Sequence, residues 1–317
     1  MPTIQDIARE AGVSTATVSR VFSNHPNVKA ALREQVLTIA RRHNYVPRLS
    51  SRRRTVMLIT PSRTAHPVQS YVDMVITHLA EAAGQRGYRI EILPEDSLDH
   101  LVNTPFCAAI RISAEGLALE NWDRHFQVPL ILIDREAPKN QRRVISVRSN
   151  EEQGMNLAIA HLVARGCQHI GCLVSNTTMG NPKQRLVHLQ AALRRHGLPA
   201  DDSCVRLVRE EEYLEGTAKL LRQKVDGLFA PGGMGGMITA YALNLLGRRV
   251  PEDVSLIASE RAGISRYCQP PQTTITQDYG QMASIAVDAI DASLRGESVI
   301  RDTILDYQLI ERESVAG

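Results

Sequence analysis

Among the side chains able to do chemistry, the cations are the most unevenly placed. Residues 1–54 hold ten Lys/Arg (Arg9, Arg20, Lys29, Arg33, Arg41, Arg42, Arg48, Arg52, Arg53 and Arg54) against the acids Asp6, Glu10 and Glu34, a net charge of +7. The rest of the chain carries 27 basic and 31 acidic residues, a net −4, so the formal total of +3 conceals a basic head on a mildly acidic body. Such asymmetry is the footprint of a chain that holds a polyanion at one end. The groups of catalysis and metal binding are not arranged for that work. The ten His lack H-x-x-x-H or Cys/His ligand spacing, and no G-x-S-x-G elbow positions a nucleophile. The Gly-rich run "GGMGG" at 232–236 lacks the Lys-Ser/Thr of a phosphate loop. The expectation is a binding protein, with no enzyme activity, no cofactor and no metal.

The elements that must position the cations follow from the apolar spacing. Thr3 and Asp6 form a capping-box-like start, Ile4, Ile7, Ala8 and Ala11 keep helical spacing, and Gly12 stops the helix. Ser14 caps a second helix whose Val18 and Val21 face inward. Two short helices about a tight Gly turn describe a helix-turn-helix. A third helix, roughly Ala30 to His43, closes the core with Val36, Leu37, Ala40 and Tyr45. The second helix then presents Thr15, Ala16, Thr17, Ser19 and Arg20, short or cationic side chains that fit a major groove. Pro47 ends the bundle, and "RLSSRRR" forms a basic linker to the first strand. Arg52, Arg53 and Arg54 read as phosphate or minor-groove contacts.

Past residue 55 short apolar runs alternate with helical stretches, the pattern of parallel α/β units. "VMLIT", "YRIEIL", "CAAIRIS" and "VPLILID" form one series; "HIGCLVS", "CVRLV", "DGLFAP" and "VSLIAS" form a second. Two successive doubly wound units predict two lobes, with ligands at the carboxyl ends of the strands. The composition, 43% hydrophobic and 22% charged, suits a globular chain, and no apolar run reaches the ~20 residues of a membrane helix. Five Cys, an odd number without a Cys-x-x-Cys pair, exclude a disulfide framework and fit a reducing cytoplasm. Trp122, the single Trp, is read as a packing residue.

"TIQDIAREAGVSTATVSRVFSN" followed by "REQVLTIARRHNYVP" resembles the head of the LacI/GalR-type transcriptional repressors. The resemblance extends over the body through "VPLILIDRE", "EEQGMNLAIAHLVARGCQHIGCL", "VPEDVSLIAS" and "PPQTTITQD". It implies a small all-α head on an α/β two-lobed body like a periplasmic binding protein, with two doubly wound parallel sheets. The expected divisions are 1–46 for the helix-turn-helix head and 47–55 for the hinge. The first lobe takes 56–149 with 279–306, and the second 150–278 with 307–317. Thr15 and Ala16 would read operator bases and Arg20 would support them. Thr3, Ser14, Thr17, Ser19, Asn24 and Arg48 complete the expected DNA face with Arg52, Arg53 and Arg54.

The resemblance also implies a small polar effector, a sugar or related metabolite, held between the lobes. Its expected contacts are Asp134, Arg135, Arg185, Tyr213, Gly232, Glu260, Gln277 and Tyr279. A guanidinium forks onto hydroxyls or a carboxylate, and an aromatic ring covers an apolar sugar face. Some positions depart from the family's pattern. Gly232-Gly233 stand where Asn-Asp is usual, Ser149 replaces an Asp, and His188 replaces a Gly; Lys29 stands where a capping Ser is usual. The hinge is short and lacks the usual Leu near its end, and the segment Glu95–Phe106 is too short for the usual strand-helix-strand. The resulting expectation is a cytoplasmic homodimeric repressor of a palindromic double-stranded operator, with no membrane association. The alternatives are a transporter's solute-binding protein, or a regulator with a protein co-effector and a degenerate pocket.

Overall fold

In the computed structural model the head is three helices, α1 (Ile4–Glu10), α2 (Thr15–Phe22) and α3 (Ala30–Arg42). The described residues of the chain are 2–22, 28–43, 45, 54–61, 71–102, 104–112, 121–176, 182–232, 234–260 and 263–317. Gly12 turns the chain between α1 and α2 at φ 64°, in the left-handed region that glycine enters without steric cost. Ile7, Val18, Val21, Phe22, Val36, Leu37 and Ala40 are buried together, with Tyr45 edge-on to Phe22 at 5.5 Å. Each fully buried aliphatic side chain of such a core contributes about 1.5–3 kcal/mol. The start of α3 has no side-chain cap, as Lys29 cannot accept a hydrogen bond.

The described chain divides into two units. One joins the head to Val75–Arg148 and Tyr279–Thr303; the other contains Ser149–Asp278 and Ile304–Gly317. The sheet of the first lobe is built from β1 (Thr55–Thr60), β2 (Arg89–Pro94), β3 (Ala108–Ile112), β4 (Leu130–Ile133), β5 (Val144–Ser149) and β11 (Asp302–Leu305). Its order is β11-β5-β4-β3-β1-β2, and the pairs from β5 through β2 are parallel. The central strands β3 and β4 are buried at every residue, which is why they read as continuous apolar runs. The helix α4 (Tyr71–Gln85) links β1 to β2 and ends before Gly87 at φ 73°.

Between β2 and β3, residues Glu95–Val102 form a 3-10 helix broken at Ser97, the compact solution available to so short a segment. Trp122 opens the short α5 (Trp122–His125), is 1% exposed, and donates its indole N–H to the Val128 carbonyl at 2.7 Å. It packs among Phe106, Phe126 and Leu130, as expected of a core residue.

The second lobe contains β6 (Ile170–Ser175), β7 (Val205–Val208), β8 (Gly227–Ala230), β9 (Ser255–Ser259), β10 (Thr273–Thr276) and β12 (Gln308–Ile310), in the order β12-β10-β9-β8-β6-β7. All pairs are parallel except β10–β12. Its helices are α6 (Glu151–Ala164), α7 (Pro182–Arg195), α8 (Tyr213–Arg222) and α9 (Gly235–Leu245), while α10 (Tyr279–Arg295) belongs to the first unit. One face of the sheet packs Ile159, Leu162, Leu189 and Leu193 from α6 and α7; the other packs Leu220 and Leu243 from α8 and α9. A parallel sheet covered on both faces aligns the carboxyl ends of β6, β8, β9 and β10 along one edge.

Candidate DNA-binding face and effector site

The first two helices of the head are held by side-chain caps. Thr3 accepts the Asp6 N–H at 3.3 Å, and the Asp6 carboxylate accepts the Thr3 N–H at 2.9 Å and the Thr3 hydroxyl at 2.7 Å. The Thr3 hydroxyl and backbone hydrogen bonds hold the Asp6 carboxyl below its usual range. Ser14 caps α2 by accepting the Thr17 N–H at 3.1 Å, with the two hydroxyls 2.9 Å apart. Thr3 and Ser14 therefore fix helix starts, whatever further contacts they make. Glu10 draws the end of α1 to α3 through Arg42 at 2.8 Å and His43 at 2.5 Å. Thr15, Ala16, Ser19 and Arg20 are exposed and Thr17 half-buried, while Val18, Val21 and Phe22 of the same helix are buried.

The expected contacts Asn24, Arg48, Arg52 and Arg53 lie outside the described residues, as does Pro47. Arg54 is described, and it is engaged by the first lobe. Its Nη1 donates to the Arg86 carbonyl at 2.6 Å, its guanidinium lies 4.8 Å from the centre of the Tyr88 ring, and its carbonyl accepts the Arg89 N–H at 2.7 Å. A cation over an aromatic face and a helix-terminal carbonyl together account for its position as an anchor of β1.

The expected effector residues divide between the units. In the first, Asp134 follows β4 at φ 53°, with its N–H on the Val147 carbonyl at 3.0 Å. The Arg135 carbonyl accepts the Ser146 hydroxyl at 2.6 Å. Tyr279 opens α10 and lies 5.9 Å, ring to ring, from His78 of α4.

In the second unit the structure brings Arg185 and Gly232 together. Arg185, in the first turn of α7, forks onto Glu151 with Nε–Oε2 at 2.8 Å and Nη2–Oε1 at 2.6 Å. Tyr307 donates its hydroxyl to the same carboxylate at 2.8 Å. Gly232, at φ 81°, lies so close that a Cβ there would meet Arg185 Nη1 at 2.7 Å. The Gly232 N–H donates to Ser259 Oγ at 2.9 Å, and Gln277 Nε2 donates to Ser149 Oγ at 2.6 Å. Burial works to raise the Glu151 carboxyl, but the charge and hydrogen bonds of Arg185, with Tyr307 and His188, outweigh it and hold it below its usual range.

Two of the expected effector residues are buried within the second lobe. Tyr213 is 1% exposed within the cluster of Leu173, Val208, Leu220 and Leu243, so its ring has no face open to a sugar. Glu260 is bound into the lobe by Arg312 at 2.7 Å and by the Thr274 hydroxyl at 2.7 Å, with 7% of its side chain exposed. Conversely, Glu151, Tyr307 and Arg312 escaped the sequence reading, because nothing in local spacing marks a partner 34 or 52 residues away. An acid directly after the cap of α6, at a helix start that favours a carboxylate, was the available signal for Glu151.

A helix-turn-helix head joined to a two-lobed body defines a class of ligand-responsive DNA-binding proteins. Residues 3–48 match the family model "Bacterial regulatory proteins, lacI family", and residues 159–315 match "Periplasmic binding protein-like domain". The chain is 28% identical to the HTH-type transcriptional regulator GalR of Escherichia coli strain K12, over 100% of this chain and 96% of that one. It is 27% identical to the HTH-type transcriptional regulator MalR of Clostridium butyricum, over 98% of each. The fold matches the crystal structure of the lac repressor dimer bound to operator and the anti-inducer ONPF, with TM-score 0.70 and 22% identity, over 100% of this chain and 99% of that one. The head carries the lacI-family DNA-binding model, and over its whole length the chain is similar to LacI/GalR-type transcriptional regulators, which are not enzymes.

Proposed function

We propose that the chain is a cytoplasmic homodimeric repressor that reads one half of an inverted-repeat operator with each head. The observation that carries this reading is the exposed face of α2. Thr15 and Ala16 stand at its N-terminal end, where a recognition helix meets base edges, and Arg20 stands one turn on. Thr and Ala suit contacts to thymine methyls or a single hydrogen bond. Pairing of two chains is supported by the second lobe, where Tyr241 and Leu245 are 64% and 54% exposed one turn apart on α9 and Tyr267 is 81% exposed. Two-fold pairing explains why the operator is an inverted repeat. A small polar effector, a sugar or related metabolite, that changes operator affinity is part of this reading.

Selection from a pool of randomised duplexes by the full-length chain tests this. An enriched inverted repeat is expected, and no enrichment contradicts the reading. A thermal-shift panel of neutral sugars, purines and acids tests the effector. A ligand at 100 times its dissociation constant adds about 2.7 kcal/mol to the folded state. Operator affinity unchanged by every compound that binds contradicts the effector role.

A further inference from the structure

The pairing of Arg185 with Glu151 bears on which effectors this chain can take, an inference that rests on the reading of the second lobe's carboxyl edge as a ligand site. We infer that Glu151 is a built-in counter-ion for Arg185 that sets the site for a neutral, hydroxyl-rich ligand and rejects phosphorylated or carboxylated ones. A guanidinium is suited to a phosphate or carboxylate because it offers parallel N–H donors to two oxygens. Here Nε and Nη2 of Arg185 already meet the two oxygens of Glu151 at 2.8 and 2.6 Å. The Tyr307 hydroxyl braces the carboxylate at 2.8 Å, and 18% of the Arg185 side chain and 29% of the Glu151 side chain are exposed.

The backbone at Gly232 completes the arrangement. With no Cβ there, Arg185 Nη1 lies against the chain just past β8, whereas any larger residue would meet it at 2.7 Å. An anionic ligand entering beside Arg185 therefore faces a carboxylate already in the fork, and must displace it or be repelled by it. A neutral polyol meets no such repulsion. Its hydroxyls can donate to Glu151 and accept from Arg185 while the ion pair stays intact.

The test uses the full-length chain in phosphate-free buffer, with inorganic phosphate as the anionic probe and a panel of neutral mono- and disaccharides. Titration calorimetry compares wild type, Glu151→Gln and the double variant Glu151→Gln/Arg185→Gln. Gln keeps the volume of Glu and still accepts from Tyr307; operator binding and near-UV circular dichroism report that each variant is native. The expected result is that Glu151→Gln binds phosphate at least about tenfold more tightly than wild type. The double variant should lose that gain. Equal phosphate affinity of wild type and a native Glu151→Gln overturns the counter-ion role. A saccharide that binds wild type while phosphate binds it equally well leaves the ligand site standing and sinks the inference. If no saccharide binds but Glu151→Gln gains phosphate through Arg185, the counter-ion stands and the sugar reading falls.

Discussion

Glu260, read from the sequence as an effector contact, is held in the fold by Arg312. Their guanidinium and carboxylate are 14% and 7% exposed, 2.7 Å apart and bridged by the Thr274 hydroxyl, and the Gln272 carbonyl accepts from Arg312. Arg312→Met leaves a carboxylate without its counter-ion in the second lobe, so urea unfolding should show a loss of about 3–5 kcal/mol. Adding Glu260→Gln should recover most of it. Glu151 carries a pH signature as well. Its carboxyl is held below the ordinary 4.5, so the stability it lends is fully present above that pH. That contribution is lost as pH falls through the lower folded-state value. In Glu151→Gln the acid side of the stability curve should therefore be flatter below the ordinary carboxylate range than in wild type; identical curves would contradict this. Arg185 was named by the resemblance to the family. Its partner was not, because a contact between the first turns of two helices leaves no trace in either one's spacing. The burial of Tyr213 was not legible, because an aromatic near a helix start serves core and ligand equally well in sequence.

The caps and apolar faces act at the scale of the element. Ser14 supports the start of α2, where the DNA-facing residues stand, and removal of such a cap costs about 1 kcal/mol. Operator affinity of Ser14→Ala should fall by about fivefold, with Ser14→Thr close to wild type. On α9, Tyr241→Glu with Leu245→Glu introduces charge where pairing would bury it. Sedimentation should then report a monomer that holds operators weakly, and an intact dimer would contradict that face as the contact. The head's three helices were legible almost to the residue, because caps, a glycine stop and apolar spacing agree over a short stretch. Strands buried on both sides were equally plain. By contrast β5 ends in Arg148 and Ser149, β10 is "TTIT", and β11 and β12 are edge strands with exposed residues, so none carries a continuous apolar run. The pattern of Met282, Ala283, Ala286, Val287 and Ile290 in α10 is helical in the sequence, yet lies outside the elements read above.

At the scale of the whole molecule, the basic head and mildly acidic body separate two kinds of binding. The +7 of residues 1–54, head and linker together, attracts any duplex, and this attraction weakens as salt displaces it. In the proposed reading, sequence preference comes from the few exposed side chains of α2. Family membership was legible because the head's pattern is local and dense. Effector chemistry was not, since it depends on which side chains neutralise one another after the chain has folded.

The most direct measurement is fluorescence anisotropy of the full-length chain over a salt series. It compares a duplex bearing the selected inverted repeat with one whose half-sites are scrambled. The account predicts that the repeat binds at least about 10³-fold more tightly at physiological salt. Both affinities should fall as salt rises, and Thr15→Ala with Arg20→Ala should bring the two duplexes close together. Equal affinity of the wild-type chain for both duplexes, or binding that ignores salt, would contradict it.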